Sequence, residues 1–146
     1  MHNNASYRPG PRVAAYALIG RDEEILFLTD ETGALVLPGG PVRDGEPVEQ
    51  ALHRTLRHQI DATITGLEFC CVIEHKAESG QHDSSTVLAF LFDATLAEND
   101  DITGYQPYAP RWCGEPEAAL LRPSAIADVL ADGSLSVDFP WRAWKP

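Results

Sequence analysis

The sequence has 146 residues, of which 44% are hydrophobic and 23% charged, and this composition is typical of a globular chain. Its apolar runs stay well below the roughly 20 residues that a membrane span needs, so we expect no membrane partner. The 11 basic and 22 acidic residues give a net charge of -11, which disfavours binding to nucleic acid polymers. A small phosphorylated ligand, held by local donors or divalent ions, stays compatible with this charge.

The start of the chain and its cysteines predict a cytoplasmic location. The first ten residues form neither an apolar signal segment nor an amphipathic Arg-rich pattern. Cys70 and Cys71 are neighbours, whose side chains point to opposite faces of a strand, and Cys113 is distant in sequence. We expect three free thiols that pack as small apolar groups.

The first forty residues have a pattern typical of β-strands. Residues 13–19 and 24–29 are apolar or β-branched and flank the polar stretch 20–23, which predicts a hairpin. A short buried strand follows at 34–37, and the Pro-Gly-Gly sequence at 38–40 ends it.

A helix is predicted from about 47 to 60. Proline suits the first turn of a helix, where its missing N–H is not needed, and Pro47 stands at this position. Apolar residues then recur at helical spacing, at Val48, Ala51, Leu52, Leu56 and Ile60.

The remainder of the chain predicts two long strands and one or two helices. The β-rich segments 63–76 and 84–96 form a predicted hairpin, and a polar segment that contains proline follows at 98–110. Helical patterns occupy 117–121 and 124–130.

A single domain is expected over residues 1–146, with its core at about 12–133, because no repeat or linker is visible. The C-terminal segment 139–144 is rich in aromatic residues. It either packs against this domain or provides a surface for a homodimer.

The spacing of Gly40, Glu46, Arg54 and the aliphatic Leu56 resembles the Nudix box, G-x5-E-x7-R-E-U-x-E-E-x-G-U, where U is aliphatic. The order of the predicted elements from about 12 to 133 is similar to that of the family as well. The resemblance implies an α+β fold, a Nudix-like α/β/α sandwich around a mixed β-sheet. It also implies a hydrolase that acts on nucleoside diphosphates linked to another group, with Mg²⁺ or Mn²⁺ as cofactor.

The sequence departs from the box at the metal-binding positions. In the family, three glutamates on one helix face hold the metal, whereas this chain has Thr55, His58 and Gln59 there. Asp61 replaces the glycine of the pattern. Mg²⁺ prefers oxygen ligands, carboxylates above all, so we expect an atypical or lost magnesium site.

The candidate catalytic residues lie in and next to the box. By resemblance, Glu46 and Arg54 brace the loop against the helix. His58 could act as an acid or base or bind a softer metal, and Gln59 could form hydrogen bonds with a ligand. The candidate ligand-binding residues are the two loop glycines, one box residue, two tyrosines that could stack on a ring and one acidic residue: Gly39, Gly40, Thr55, Tyr105, Tyr108 and Glu115.

Three functions are compatible with this sequence. The first is a Nudix-type hydrolase that acts on a nucleoside diphosphate linked to another group and has a rearranged or reduced metal site. Carboxylates that compensate for the lost ligands would be sought in the 98–117 region. The second is a biosynthetic enzyme that works without metal and uses His58 as acid or base. The third is a noncatalytic module that binds a nucleotide or another small molecule in the same cleft.

Overall fold

The computed structural model describes residues 10–77, 85–97, 102, 104–132 and 138–144. Strands dominate the first half, one helix follows the glycine-rich loop, and two short helices lie near the C-terminus. In chain order the elements are β1 (Arg12–Leu18), β2 (Gly20–Arg21), β3 (Glu24–Thr29), β4 (Leu35–Val36), β5 (Gly39–Pro41), α1 (Val48–Ile60), β6 (Ile64–Lys76), β7 (Thr86–Leu96), β8 (Ala109–Cys113), α2 (Glu115–Ala118), α3 (Ser124–Asp132) and β9 (Trp141–Arg142).

The predicted N-terminal hairpin forms through β2 and β3 only. Gly20 pairs with Ile25 across the turn at Asp22 and Glu23, and both turn residues have positive φ, as a two-residue hairpin requires. β1, by contrast, pairs with β5 and β7. The predicted strand 13–19 therefore belongs to a different sheet from β3.

The sheets are mixed, as the fold class predicted. Among the described residues, one sheet has the order β5-β1-β7-β6-β9, and a second is built on β3, which pairs with β2, β4 and β8. β1 and β7 run parallel, whereas β6 and β7 form the long antiparallel pair that the sequence predicted.

Helices α1 and α3 pack on different apolar clusters. Leu52, Leu56 and Ile60 of α1 belong to one buried cluster with β1 and β3 residues. Ile126 and Val129 of α3 belong to the other, which includes β6 and β7 residues. Helices on both sides of a mixed sheet give the α/β/α sandwich, so the predicted fold class is confirmed.

Both ends of α1 are set by local backbone geometry. Pro47 has an extended backbone and precedes the helix, which begins at Val48, one residue later than predicted. Asp61 follows the helix with a left-handed backbone at φ 51°, and its N–H bonds to the Arg57 carbonyl. The Nudix pattern has glycine at this position, and aspartate is among the few other residues that tolerate this conformation.

The aromatic C-terminal segment adds β9 to the larger sheet, where Trp141 and Arg142 pair in parallel with β6. Phe139 and Trp141 are exposed. All three cysteines are free thiols, and burial raises their pKa values. None of the described helices combines the length and apolar character needed to cross a membrane.

Candidate functional site

Glu46 and Arg54 join the loop before α1 to the helix itself. Arg54 donates two hydrogen bonds to the Glu46 carboxylate, at 2.8 and 2.9 Å, and a third to the Pro41 carbonyl at 3.0 Å. The Arg43 N–H also donates to Glu46. The hydrogen bond from Arg54, followed by the one from Arg43, lowers the pKa of Glu46 to about 2. The carboxylate is thus ionised, and it is hydrogen-bonded both to the loop and to α1.

Gln59 points inward and bonds to the glycine-rich strand. Its Oε1 accepts from the Gly39 N–H at 2.9 Å, and its Nε2 donates to the Gly39 carbonyl at 2.8 Å. The side chain is 5% exposed. A carboxamide can form this reciprocal pair because it carries both a donor and an acceptor, whereas an ionised glutamate only accepts. We call this contact the Gln59–Gly39 pair.

Gly39 itself allows no side chain. Its φ of 131° lies in a region that only glycine adopts readily. A Cβ at this position would also collide with the carbonyl group of Ala15 and the backbone of Tyr16 on β1. The Gln59–Gly39 pair is therefore part of a tightly packed junction between α1, β5 and β1.

Thr55 is buried, and its hydroxyl satisfies the helix backbone. Oγ1 donates to the Leu52 carbonyl at 3.1 Å, and the residue is 7% exposed. The Thr55 methyl group faces Gly40, and a methyl group added at Gly40 would make an ordinary van der Waals contact with it. The space between α1 and β5 is thus filled by a small side chain.

His58 lies on the exposed side of α1 and is not part of the cleft described below. The helical spacing of residues 55, 58 and 59 predicted that their three side chains share one face of α1 and point to a common site. The structure instead buries Thr55 and Gln59 against β5 and leaves His58 toward solvent. Thr55 and Gln59 are thus hydrogen-bonded within the fold, and of the three side chains only that of His58 is exposed.

These residues do not fit a magnesium ion. Mg²⁺ takes near-octahedral oxygen ligands and is usually held by carboxylates. Here the two oxygen atoms that could act as ligands are already hydrogen-bonded. The Thr55 hydroxyl donates to the helix backbone, and the Gln59 carboxamide oxygen accepts from the Gly39 N–H. Within the described part of the chain, no three His, Cys, Asp or Glu side chains lie close enough together to hold a metal.

A cleft of about 180 Å³ opens beside the Gln59–Gly39 pair. It lies between β1, β4, β5, the C-terminal turn of α1 and the loop before β8. We call it the cleft from here on. Its lining includes two tyrosines, two acidic residues and the two residues of the pair: Tyr16, Tyr108, Asp30, Glu31, Gly39 and Gln59.

Asp30 is the first residue of the turn between β3 and β4. Its Oδ1 accepts from the Thr32 N–H at 2.8 Å, the Thr32 hydroxyl at 2.6 Å and the Ala34 N–H at 3.1 Å. The Thr32 side chain in particular lowers the pKa of Asp30. The carboxylate is therefore ionised at neutral pH and brings a fixed negative charge to the cleft.

The two candidate tyrosines of the 104–108 loop have different environments. Tyr105 is outside the cleft lining, and its N–H donates to the Gln59 carbonyl at 2.9 Å. A hydrogen bond to Asp61 raises the pKa of the Tyr105 hydroxyl. Tyr108 lines the cleft. Tyr105 thus attaches the loop to the end of α1, and Tyr108 is the tyrosine within reach of a ligand.

The acidic candidates after β8 are not among the residues that line the cleft. Glu115 is exposed at the start of α2. Glu117 accepts from the Gly114 N–H at 2.9 Å, so it caps this short helix. Residues 98–101, the other part of the acidic region, lie outside the described residues.

Several cleft residues were not among the predicted site residues. Asp30 and Glu31 appear in the sequence only as part of a turn, and Tyr16 appears only as part of a strand. The Pro-Gly-Gly sequence indicated the position of one cleft wall. The opposite walls come from distant segments whose meeting depends on the tertiary fold.

No family model and no curated protein matches the sequence. Solved structures match over most of the chain. A Nudix hydrolase from Nitrosomonas europaea superposes with a TM-score of 0.67 at 20% identity, covering 88% of this chain and 95% of its own. The MutT protein of Methanosarcina mazei Go1 gives 0.68 at 20% identity, with 84% and 92% covered.

A third structure is that of the E. coli dihydroneopterin triphosphate pyrophosphohydrolase. It gives a TM-score of 0.67 at 17% identity, with 86% of this chain and 100% of the other covered. These likenesses define the class of the fold, which is that of the Nudix hydrolases. The chain described here has the Nudix fold, and the resemblance found in its sequence is confirmed at that level.

Proposed function

We propose that this protein is a Nudix-fold module that binds a small molecule in the cleft without a divalent ion on α1. The Gln59–Gly39 pair carries this proposal. Both polar groups of the Gln59 side chain are engaged by the backbone of one residue, through the N–H and the carbonyl of Gly39. Helix α1 therefore serves to hold β5 in place at the position where the hydrolases of the family hold metal.

A hydrolase that uses α1 in the usual way is disfavoured by charge as well as by geometry. No carboxylate stands at positions 55, 58 and 59. Losing even an outer partner of a metal ligand typically costs about 10- to 100-fold in affinity or activity, so losing the inner carboxylates costs considerably more. The box pair that this chain retains, Glu46 and Arg54, is satisfied by structural hydrogen bonds.

An enzyme that uses His58 as acid or base is also less well supported. A general base must come within hydrogen-bond reach of the proton that it moves. His58 is exposed on α1, and the cleft is lined by other residues. Binding in the cleft requires neither His58 nor a metal, so it is the function most compatible with these positions.

The test compares metal dependence in the wild-type protein and in a variant with the family's ligands restored. Wild-type protein is assayed against a panel of nucleoside diphosphate derivatives with Mg²⁺, with Mn²⁺ and in chelator. The triple variant Thr55→Glu, His58→Glu, Gln59→Glu is assayed in parallel, after circular dichroism has verified its fold.

We expect no metal-dependent turnover by the wild-type protein and increased Mg²⁺ affinity in the triple variant. The binding of any small molecule to the wild-type cleft, phosphorylated or not, should be unchanged by chelator. Metal-dependent hydrolysis by the wild-type protein, abolished by chelator, would overturn the proposal.

A further inference from the structure

The chemistry of the cleft lining indicates which class of molecule it accepts. Among the lining residues that the structure describes, none is Lys, Arg or His, whereas two, Asp30 and Glu31, are acidic. Phosphate recognition without a metal depends on cationic side chains or free backbone N–H groups. The described lining lacks such side chains.

Backbone donors are also scarce at the wall where a phosphate would approach. The Gly39 N–H, the obvious donor of the glycine-rich strand, is taken by Gln59. The Val42 N–H donates to the Val13 carbonyl. These two N–H groups are therefore not available to an anion, unlike the free N–H groups that cradle one in other phosphate sites.

The net charge of the whole molecule also favours the binding of cations over anions. A net charge of -11 attracts cations and repels anions at long range. Asp30 adds a local charge that is fixed in position by three hydrogen bonds from its own turn. Tyr16 and Tyr108 supply aromatic surface in the same cleft.

From this lining we infer that the cleft binds a small organic cation, a protonated amine or nitrogen heterocycle of about one ring, and not a phosphorylated ligand. The inference rests on the proposed function and specifies its ligand class. Carboxylates together with aromatic rings are a combination that recognises ammonium groups. A volume of about 180 Å³ suits a single ring, since an apolar cavity of roughly 150 Å³ can bind benzene.

The experiment follows backbone amide shifts of ¹⁵N-labelled protein during titration with probes of different charge, of which the cation and the neutral probe are matched in size. Benzylammonium is the cation, benzyl alcohol is its neutral counterpart, and benzyl phosphate and inorganic pyrophosphate are the anions. We expect benzylammonium to shift the amides of Gly39, Gly40 and Tyr108. Its affinity should exceed that of benzyl alcohol by about five- to tenfold, the size of a partly desolvated cation–π and charge contribution.

Two double variants test the role of the acidic residues. Asp30→Asn with Glu31→Gln removes both charges, while the carboxamide introduced at position 30 keeps an oxygen acceptor for the turn. This variant should lose the preference for benzylammonium over benzyl alcohol. The matched control, Glu49→Gln with Asp128→Asn, removes two exposed charges outside the cleft and should keep the preference.

The possible results separate the ligand class from the proposed function. Tighter binding of benzyl phosphate or pyrophosphate than of benzylammonium in chelator would overturn the cation inference and leave a metal-free binding cleft in place. If no probe of any charge shifts the cleft amides, the cation inference fails. If anions bind and their binding requires Mg²⁺, the proposed function fails too.

Discussion

The carboxamide of Gln59 and the backbone of Gly39 exchange two hydrogen bonds, one from the Gly39 N–H and one to the Gly39 carbonyl. The two residues are twenty positions apart in the sequence. The contact joins the last turn of α1 to β5 and forms one wall of the cleft. A residue at a metal-ligand position of the Nudix box thus acts here as a structural hydrogen-bonding partner.

Removal of this contact should destabilise the fold. Gln59→Ala leaves both polar groups of Gly39 buried without these partners. Each such group costs about 1–3 kcal/mol, so we expect a loss of about 2–6 kcal/mol in the free energy of unfolding. Urea denaturation measures it. The exposed neighbour His58→Ala serves as control and should change stability by less than about 0.5 kcal/mol.

Gln59→Glu tests the pair in a different way. The carboxylate can still accept from the Gly39 N–H, but it is placed against the Gly39 carbonyl, where it has no proton to donate. We expect this variant to be less stable than the wild type at neutral pH. Its stability relative to the wild type should rise as the pH falls and the introduced carboxylate gains a proton. A variant as stable as the wild type at neutral pH would contradict the importance of the second hydrogen bond.

The two glycines of β5 should respond differently to the addition of a methyl group. Gly39→Ala adopts a disfavoured φ and collides with the β1 backbone, so we expect a loss of about 2–4 kcal/mol. Gly40→Ala places its methyl 3.7 Å from the Thr55 methyl, an ordinary contact. It should cost less than about 1 kcal/mol. Equal losses measured by thermal unfolding would show that this junction is not tightly packed.

The Glu46–Arg54 pair should contribute a pH-dependent part of the stability. The folded pKa of Glu46 is about 2, below its ordinary value of 4.5. Because the pKa of Glu46 is lower in the folded chain, the unfolded chain binds the Glu46 proton more tightly. The contribution of the Glu46–Arg54 pair to the free energy of unfolding is therefore complete above about pH 4.5. It declines as the pH falls from about 4.5 toward 2.

Glu46→Gln removes this titration. The stability difference between the wild type and Glu46→Gln should therefore be largest near neutral pH and shrink below about pH 4.5. Urea denaturation at several pH values measures this difference. Glu49→Gln, an exposed residue in the first turn of α1, provides the control. A difference that does not vary with pH would show that Glu46 is not held in its charged form by Arg54.

Asp61 should be important both for the end of α1 and for the loop that carries Tyr108. Its backbone is left-handed, so Asp61→Ala should cost about 1–2 kcal/mol. Asp61→Gly relieves the backbone restriction but removes the partner of the Tyr105 hydroxyl. In both variants the raised pKa of Tyr105 should return toward its ordinary value, which ultraviolet titration can follow. An unchanged tyrosine titration would contradict the contact between Asp61 and Tyr105.

The fold could be predicted from the sequence because its main constraints are local. The helical spacing of Leu52, Leu56 and Ile60 and the box spacing of Gly40, Glu46 and Arg54 are visible in one stretch. The left-handed backbone of Asp61 was not predicted, because this residue entered the sequence analysis only as a departure from the glycine of the pattern. The hairpin was located correctly, although β1 pairs elsewhere.

The arrangement of the site could not be predicted to the same extent. A glutamine can bind a ligand or a backbone peptide equally well, and only the position of Gly39 decides between them. Tyr105 and Tyr108 are three residues apart in one loop, yet one contacts the end of α1 and the other lines the cleft. The acidic lining from Asp30 and Glu31 depends on how the β3–β4 turn lies next to β5.

The most direct measurement is paramagnetic broadening by Mn²⁺ in the ¹⁵N-labelled wild-type protein. If α1 has exchanged metal binding for the Gln59–Gly39 pair, low concentrations of Mn²⁺ should produce no selective broadening of the amides of Gly39, Gly40 and residues 55–59. Saturable broadening centred on those amides would mean that a metal site exists between α1 and β5, and it would contradict the structural role assigned to Gln59.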